Sequence, residues 1–207
     1  LYKESKLCQA EVWLGYNRRF YASTMKAREL IKKDGGITSC QMEFTEWSHS
    51  IRNLIKKKEI KTTWFFSNST HVVDLAFHLC GLPKDWDCWT AGTLDWHEAS
   101  ARFAGAGITD QGVIFSYFAD WEAPGRWGIE IMTRKNRLIF RPMEKLHLIP
   151  LGSITIEQVK IEVVESFLSL MSQVGQNFIC YNHFIFELIS FFKLSTSAMA
   201  VSAAAEI

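Results

Sequence analysis

The strong helix signals of this 207-residue chain all precede residue 85, and the strand signals crowd together after it. Tyr21–Lys33 sets Met25, Leu30 and Ile31 near helical spacing and stops at Asp34-Gly35-Gly36. Ser50–Lys58 reads as a short basic amphipathic helix. Ser69–Cys80 reads as an apolar helix, capped by Ser69 or Thr70 and ended by Gly81-Leu82-Pro83. Two strands, Gln9–Tyr16 and Ile37–Phe44, lie among these helices. From Asp85 onward come short aromatic or β-branched segments, over 86–94, 99–104, 112–119, 127–133 and 137–141. Lys135-Asn136 turns the last hairpin. Strands joined by tight turns pair antiparallel, because a parallel crossover needs a dozen or more residues. The expected fold is α+β: a largely antiparallel open sheet with helices packed on one face.

Composition divides the chain near residue 165. Residues 1–164 form the expected domain, with charges throughout. Residues 165–207 form an apolar tail rich in Phe, Ser and Ala, where Glu187, Lys193 and Glu206 are the charged residues after Glu165. The tail reads as a buried terminal helix, an aberrant end or a membrane-surface helix. No run of about 20 apolar residues occurs, so no spanning helix is expected. The net charge is +1, which gives no global field to draw a nucleic acid. Five scattered cysteines without a CxxC pair fit free thiols in a reducing cytoplasm, with neither a disulfide framework nor a zinc site. The chain opens without Met on a mixed, charged stretch, which reads as part of a longer protein.

Several phosphate and catalytic signatures are missing. There is no GxxxxGK[ST], HExxH or GxSxG, and the glycines of 105–112 do not fit GxGxxG and read as lying between strands. The chain is thus expected to lack a nucleotide-binding half. His71 is the leading candidate for chemistry, in the first turn of an apolar helix. A helix N-terminus holds an imidazole near neutral, ready to exchange a proton with a hydroxyl. A core histidine bonded to backbone is the competing reading. His78 lies seven residues on, but no further ligand has helpful spacing, so no metal is expected. Asn17-Arg18-Arg19-Phe20-Tyr21, between a strand and a helix, suits a phosphate, a carboxylate or sugar hydroxyls, or equally an ordinary helix start with one ion pair. The Pro124-Gly125 turn, with Trp121, Arg126 and Trp127 around it, can set an aromatic platform and a bidentate donor over a cleft. Glu43 and Glu46, at a strand's end, could bind sugar hydroxyls but more often are solvated.

The runs VWLGYNRRFYAS (12–23), FTEW (44–47), NSTHVVDLAFHLCGLP (68–83) and FSYFADWEAPGRWGIEIMT (115–133), in this order, resemble the C-terminal domain of the Gfo/Idh/MocA (glucose–fructose oxidoreductase/inositol dehydrogenase) family. The likeness covers roughly residues 8–150. It implies an NAD(P)-dependent oxidoreductase acting on a sugar or polyol, with NAD or NADP bound by a Rossmann domain N-terminal to this region. It implies that His71 exchanges the proton of the substrate hydroxyl. Asn17 and Arg18 would sit by the cofactor, and Arg19, Tyr21, Ser67, Asn68, Trp121 and Arg126 by the substrate. It also implies a homo-oligomer built on the open sheet face. Many members carry Asp four residues before the His, where this chain has Ser67. Alone, the chain is expected to be inactive. The alternative is a stand-alone carbohydrate-binding or scaffold domain without catalysis.

Overall fold

The computed structural model describes residues 7–8 and 15–161. The expected strand Gln9–Tyr16 lies outside these except at Gly15 and Tyr16, which belong to no strand, and the tail 165–207 lies wholly outside.

Eight strands form one sheet: β1 (Ser39–Glu43), β2 (Pro83–Ala91), β3 (Arg102–Thr109), β4 (Ile114–Asp120), β5 (Gly128–Met132), β6 (Asn136–Phe140), β7 (His147–Pro150) and β8 (Glu157–Gln158). Their spatial order is β2-β3-β4-β1-β5-β6-β7-β8. Every pairing is antiparallel except β1 with β4. The α+β, largely antiparallel expectation therefore holds. Within residues 15–161 four α-helices accompany the sheet: α1 (Ala22–Lys33), α2 (Ser48–Arg52), α3 (Lys58–Thr62) and α4 (Thr70–Cys80).

The insertion of β1 decides where a site can form. β4 and β5 are consecutive in sequence but flank β1 in space, so the loop 121–127 must arch over the end of β1. That loop therefore meets the residues that follow β1.

One face of the sheet is buried against the helices. Cys40, Met42, Phe115, Tyr117, Ile129 and Ile131 alternate inward with period two, and α4 buries Val72, Val73, Leu75 and Ala76. Each large side chain so buried contributes roughly 1.5–3 kcal/mol. The stop after α1 also ties the sheet, because the buried Asp34 carboxylate accepts bonds from Thr133 Oγ1 and Asn136 Nδ2, both at 2.8 Å.

Three local expectations change. The helix expected over Ser50–Lys58 divides into α2 and α3. Asn53 ends α2 by donating its side-chain amide to the His49 carbonyl at 3.0 Å while its backbone N–H turns to Ile51. The strand expected over 99–104 starts later and runs on through Gly105 and Gly107, which thus lie within β3. A Cβ at Gly105 would overlap the Tyr117 ring, and one at Gly107 would meet the Asp85 backbone and Trp86, so this strand requires glycine to let its neighbours close in. Finally, β7 and β8 extend the sheet past the expected strands.

Candidate functional site

Glu46 organises the end of β1. Its side chain is 1% exposed, not solvated. It accepts four kinds of donor: Asn68 Nδ2 (3.0 and 3.2 Å), Ser69 Oγ (2.8 Å), the Arg126 guanidinium (2.6 Å) and Trp127 Nε1 (3.1 Å). A carboxylate taken from water needs such a set, because its two oxygens present about four acceptor positions. The result joins three segments: the residues after β1, the widened turn Phe65–Ser69 that leads into α4, and the arching loop.

A second buried ion pair fixes the arginine turn Asn17–Phe20. Arg19 grips Asp74 of α4 with two nitrogens, through Nε at 2.8 Å and through a terminal nitrogen. Burial pushes the Asp74 carboxyl up from its usual range, and the hydrogen bonds and charge of Arg19 pull it back. Thr24 of α1 donates to the Arg18 carbonyl at 2.8 Å and holds the turn from its other side.

His71 lies where these anchored pieces converge. Tyr16 meets its ring edge-on at 5.5 Å, and Trp127 lies 6.5 Å away. Tyr16 is itself hydrogen-bonded to Thr70. Nδ1 of His71 is buried without a hydrogen-bond partner among the described residues. Burial, and then the Arg18 charge, hold the imidazole below its usual range, so it is neutral near pH 7. A neutral imidazole with a vacant nitrogen is fit to take a proton from a hydroxyl. The competing reading of a core histidine bonded to backbone does not describe this nitrogen.

The Arg18 guanidinium rests against Trp127 at 4.5 Å and reaches the Tyr21 ring at 5.9 Å. Arg126 lies 4.3 Å from the same indole and 5.1 Å from Trp47. Thus Arg18, Tyr21, Asn68, His71 and Arg126 come together around Trp127. Arg19 is committed to Asp74. Asn17 is exposed at the head of the turn, and Ser67 is exposed with its hydroxyl donating to the Trp64 carbonyl at 3.3 Å. Trp121 departs furthest from the expectation of an aromatic platform. It is 1% exposed, its Nε1 donates to the Phe44 carbonyl at 3.1 Å, and its ring stacks on Trp96 within the core. Trp127, at the other end of the loop, is the tryptophan beside the arginines.

Sequence reading gave no role to Asp74 or Tyr16, named Trp127 only as a flank of the Pro124-Gly125 turn, and set Glu46 aside. Asp74 had a signal, as the one acidic residue in an otherwise apolar helix. Among the described residues, no group of three or more His, Cys, Asp or Glu is placed to hold a metal, and no helix is long and apolar enough to cross a membrane.

No protein-family model matches the chain, and no curated protein matches it in sequence. Solved structures do match in fold. Apo levoglucosan dehydrogenase is 16% identical with a TM-score of 0.55, over 70% of this chain and 46% of that one. UDP-N-acetylglucosamine 3-dehydrogenase from Acidithiobacillus ferrooxidans is 11% identical with a TM-score of 0.58, over 83% of this chain and 53% of that one. An NAD-binding oxidoreductase from Klebsiella pneumoniae is 12% identical with a TM-score of 0.61, over 86% of this chain and 53% of that one. The chain spans about half the length of these proteins and shares the fold of one part of each.

Proposed function

We propose that this chain is the substrate-side part of an NAD(P)-dependent oxidoreductase acting on a sugar or polyol hydroxyl, with His71 as its acid–base residue. The observation that carries this reading is the vacant, buried Nδ1 of a neutral His71, held at the meeting point of the arginine turn and the arching loop. The likeness to levoglucosan dehydrogenase, solved with NADH and L-sorbose, supports the same class. The cofactor, when bound, accepts or returns the hydride. This chain binds and orients the sugar and moves the proton. Asn17, exposed at the head of the arginine turn, would lie by the cofactor on this reading. The substrate hydroxyl bonds to His71, which takes its proton as the carbon is oxidised. Trp127, buried beneath Arg18 and Arg126, holds both guanidiniums in place, and Asn68 and Arg126, held by Glu46, lie at the rim of the site.

His71→Ala in the complete enzyme is expected to lower kcat by about 100-fold or more, the scale of a positioned acid–base group. An unchanged kcat overturns the assignment.

The outer sheet face fits the homo-oligomer of the same reading. Trp89 is 63% exposed, Ile114 56% and Phe118 52%. Trp89 and Phe118 lie in one row across Ala104 of β3, which leaves an apolar strip facing outward. Sedimentation of the Phe118→Lys chain is expected to show a smaller species than the unaltered chain. The reading places the protein in the cytoplasm, and it agrees with the free thiols of the buried Cys40, Cys80 and Cys88.

A further inference from the structure

Three guanidiniums surround the site and two buried carboxylates answer them. Asp74 takes Arg19, and Glu46 takes Arg126. Among the described residues no carboxylate pairs with Arg18. Its Nε is buried without a hydrogen-bond partner, as is Nδ1 of the neighbouring His71. The aromatic contacts with Trp127 and Tyr21 offset part of the cost of withdrawing this cation from water, but they satisfy no N–H. Among the described residues the site thus holds one more guanidinium than carboxylate, and the Arg18 fork keeps one donor unused.

What completes it is an oxyanion. The reacting end of a nicotinamide carries a neutral carboxamide, so the excess charge is not explained by that end of the cofactor. Arg18 packs on Trp127, the indole that His71 also faces, so the anion and the reacting hydroxyl belong to one small molecule. We propose that the site takes a sugar or polyol bearing an anionic group, a carboxylate or a phosphate, and that Arg18 is the ligand of that group and not, as the family resemblance implied, a neighbour of the cofactor. This rests on the oxidoreductase reading above, which by itself requires no charge on the substrate.

Calorimetric titration of the 207-residue chain at low ionic strength tests it, with D-glucuronate, D-glucose 6-phosphate, D-glucose and inorganic phosphate as probes. At least one anionic sugar is expected to bind about tenfold or more tighter than glucose, the scale of one charge-assisted hydrogen bond. Which of the two prevails separates carboxylate from phosphate. Arg18→Gln is expected to erase the preference, and Arg18→Lys to keep part of it. The lysine variant also serves if the glutamine variant melts early. Three results overturn the proposal: glucose binding as tightly as both acids, a preference that survives Arg18→Gln, or inorganic phosphate binding as tightly as the sugar acids. Equal binding of the charged and neutral sugars leaves the sugar-site reading standing, whereas a chain that binds none of the four probes removes both.

Discussion

The loop 121–127 begins and ends with a tryptophan, and the two serve opposite kinds of interior. Trp121 enters a cluster held by ring contacts. Trp96 stacks on it in parallel at 5.6 Å, His97 lies 4.7 Å away and Phe103 5.1 Å. The polar atoms there are met by short local bonds: His97 Nδ1 with the Ser100 carbonyl at 2.7 Å, and Trp96 Nε1 with Ser48 Oγ at 2.9 Å. Trp64 Nε1 at its margin is the exception among the described residues. Trp127 enters a seam of charges, where Glu46 and Asp74 are matched to Arg126 and Arg19 and where Arg18 and His71 each keep a nitrogen unused. Buried polar groups are costly unless they are paired. A core fills its vacancies, and a site keeps the ones its ligand will fill.

Substitutions at the two ends should separate these interiors. Glu46→Leu is expected to cost about 3 kcal/mol in urea unfolding, because it leaves the buried donors of Ser69 and Trp127 unpaired and takes the partner from the half-exposed Arg126. Adding Arg126→Leu should restore part of that loss, since the half-exposed cation that lost its partner goes with it. A double variant no more stable than Glu46→Leu would mean that the carboxylate acts by shape and not by charge. Trp121→Ala should cost about 3–5 kcal/mol as well, but through a cavity that no second substitution in the seam repairs. Trp127→Phe should cost only about 1 kcal/mol, the hydrogen bond to Glu46, while weakening sugar binding. Equal losses of binding from the Trp121 and Trp127 variants would erase the distinction between the two clusters.

Much of the framework was legible because it depends on local signals. Gly81 and Pro83 end α4, Asp34-Gly35-Gly36 ends α1, and the period-two burial of β4 and β5 is written in their aromatic and β-branched residues. The insertion of β1 between β4 and β5 was not legible, since no local pattern encodes a non-local pairing. The site depends on that insertion. It turns Glu46 from a residue at a strand's end into the acceptor beneath an arching loop. It also decides which of the two buried tryptophans of the Asp120–Trp127 segment meets the arginines. The arginine turn was half legible: an ion pair was among the readings, but its partner Asp74 lies 55 positions away from Arg19. Ser50–Lys58 failed for a smaller reason. Its apolar spacing suits a helix, and one asparagine side chain outcompetes the backbone for the carbonyl at its end.

The seam also makes a smaller prediction in acid. His78, two turns along α4 from His71, is pulled down to about 4 from 6.5, by burial first and then by the charges of Arg19 and Arg28. The folded chain therefore keeps this imidazole neutral down to about pH 4, while the unfolded chain protonates it below about 6.5. The unfolded state binds more protons across that window, so the stability due to neutral His78 is present above about pH 6.5 and is lost as pH falls through 4. His71 and His97 are shifted in the same direction and add to the slope, whereas Asp74, raised by burial, opposes it. His78→Asn isolates one contribution from this sum. Its unfolding free energy, measured in urea at steps between pH 7 and pH 4, should fall less steeply than that of the unaltered chain, by no more than the slope of a single proton. Parallel curves would show that His78 reaches water in the folded state, and that the charge of the arginine turn does not extend past Asp74 along the helix.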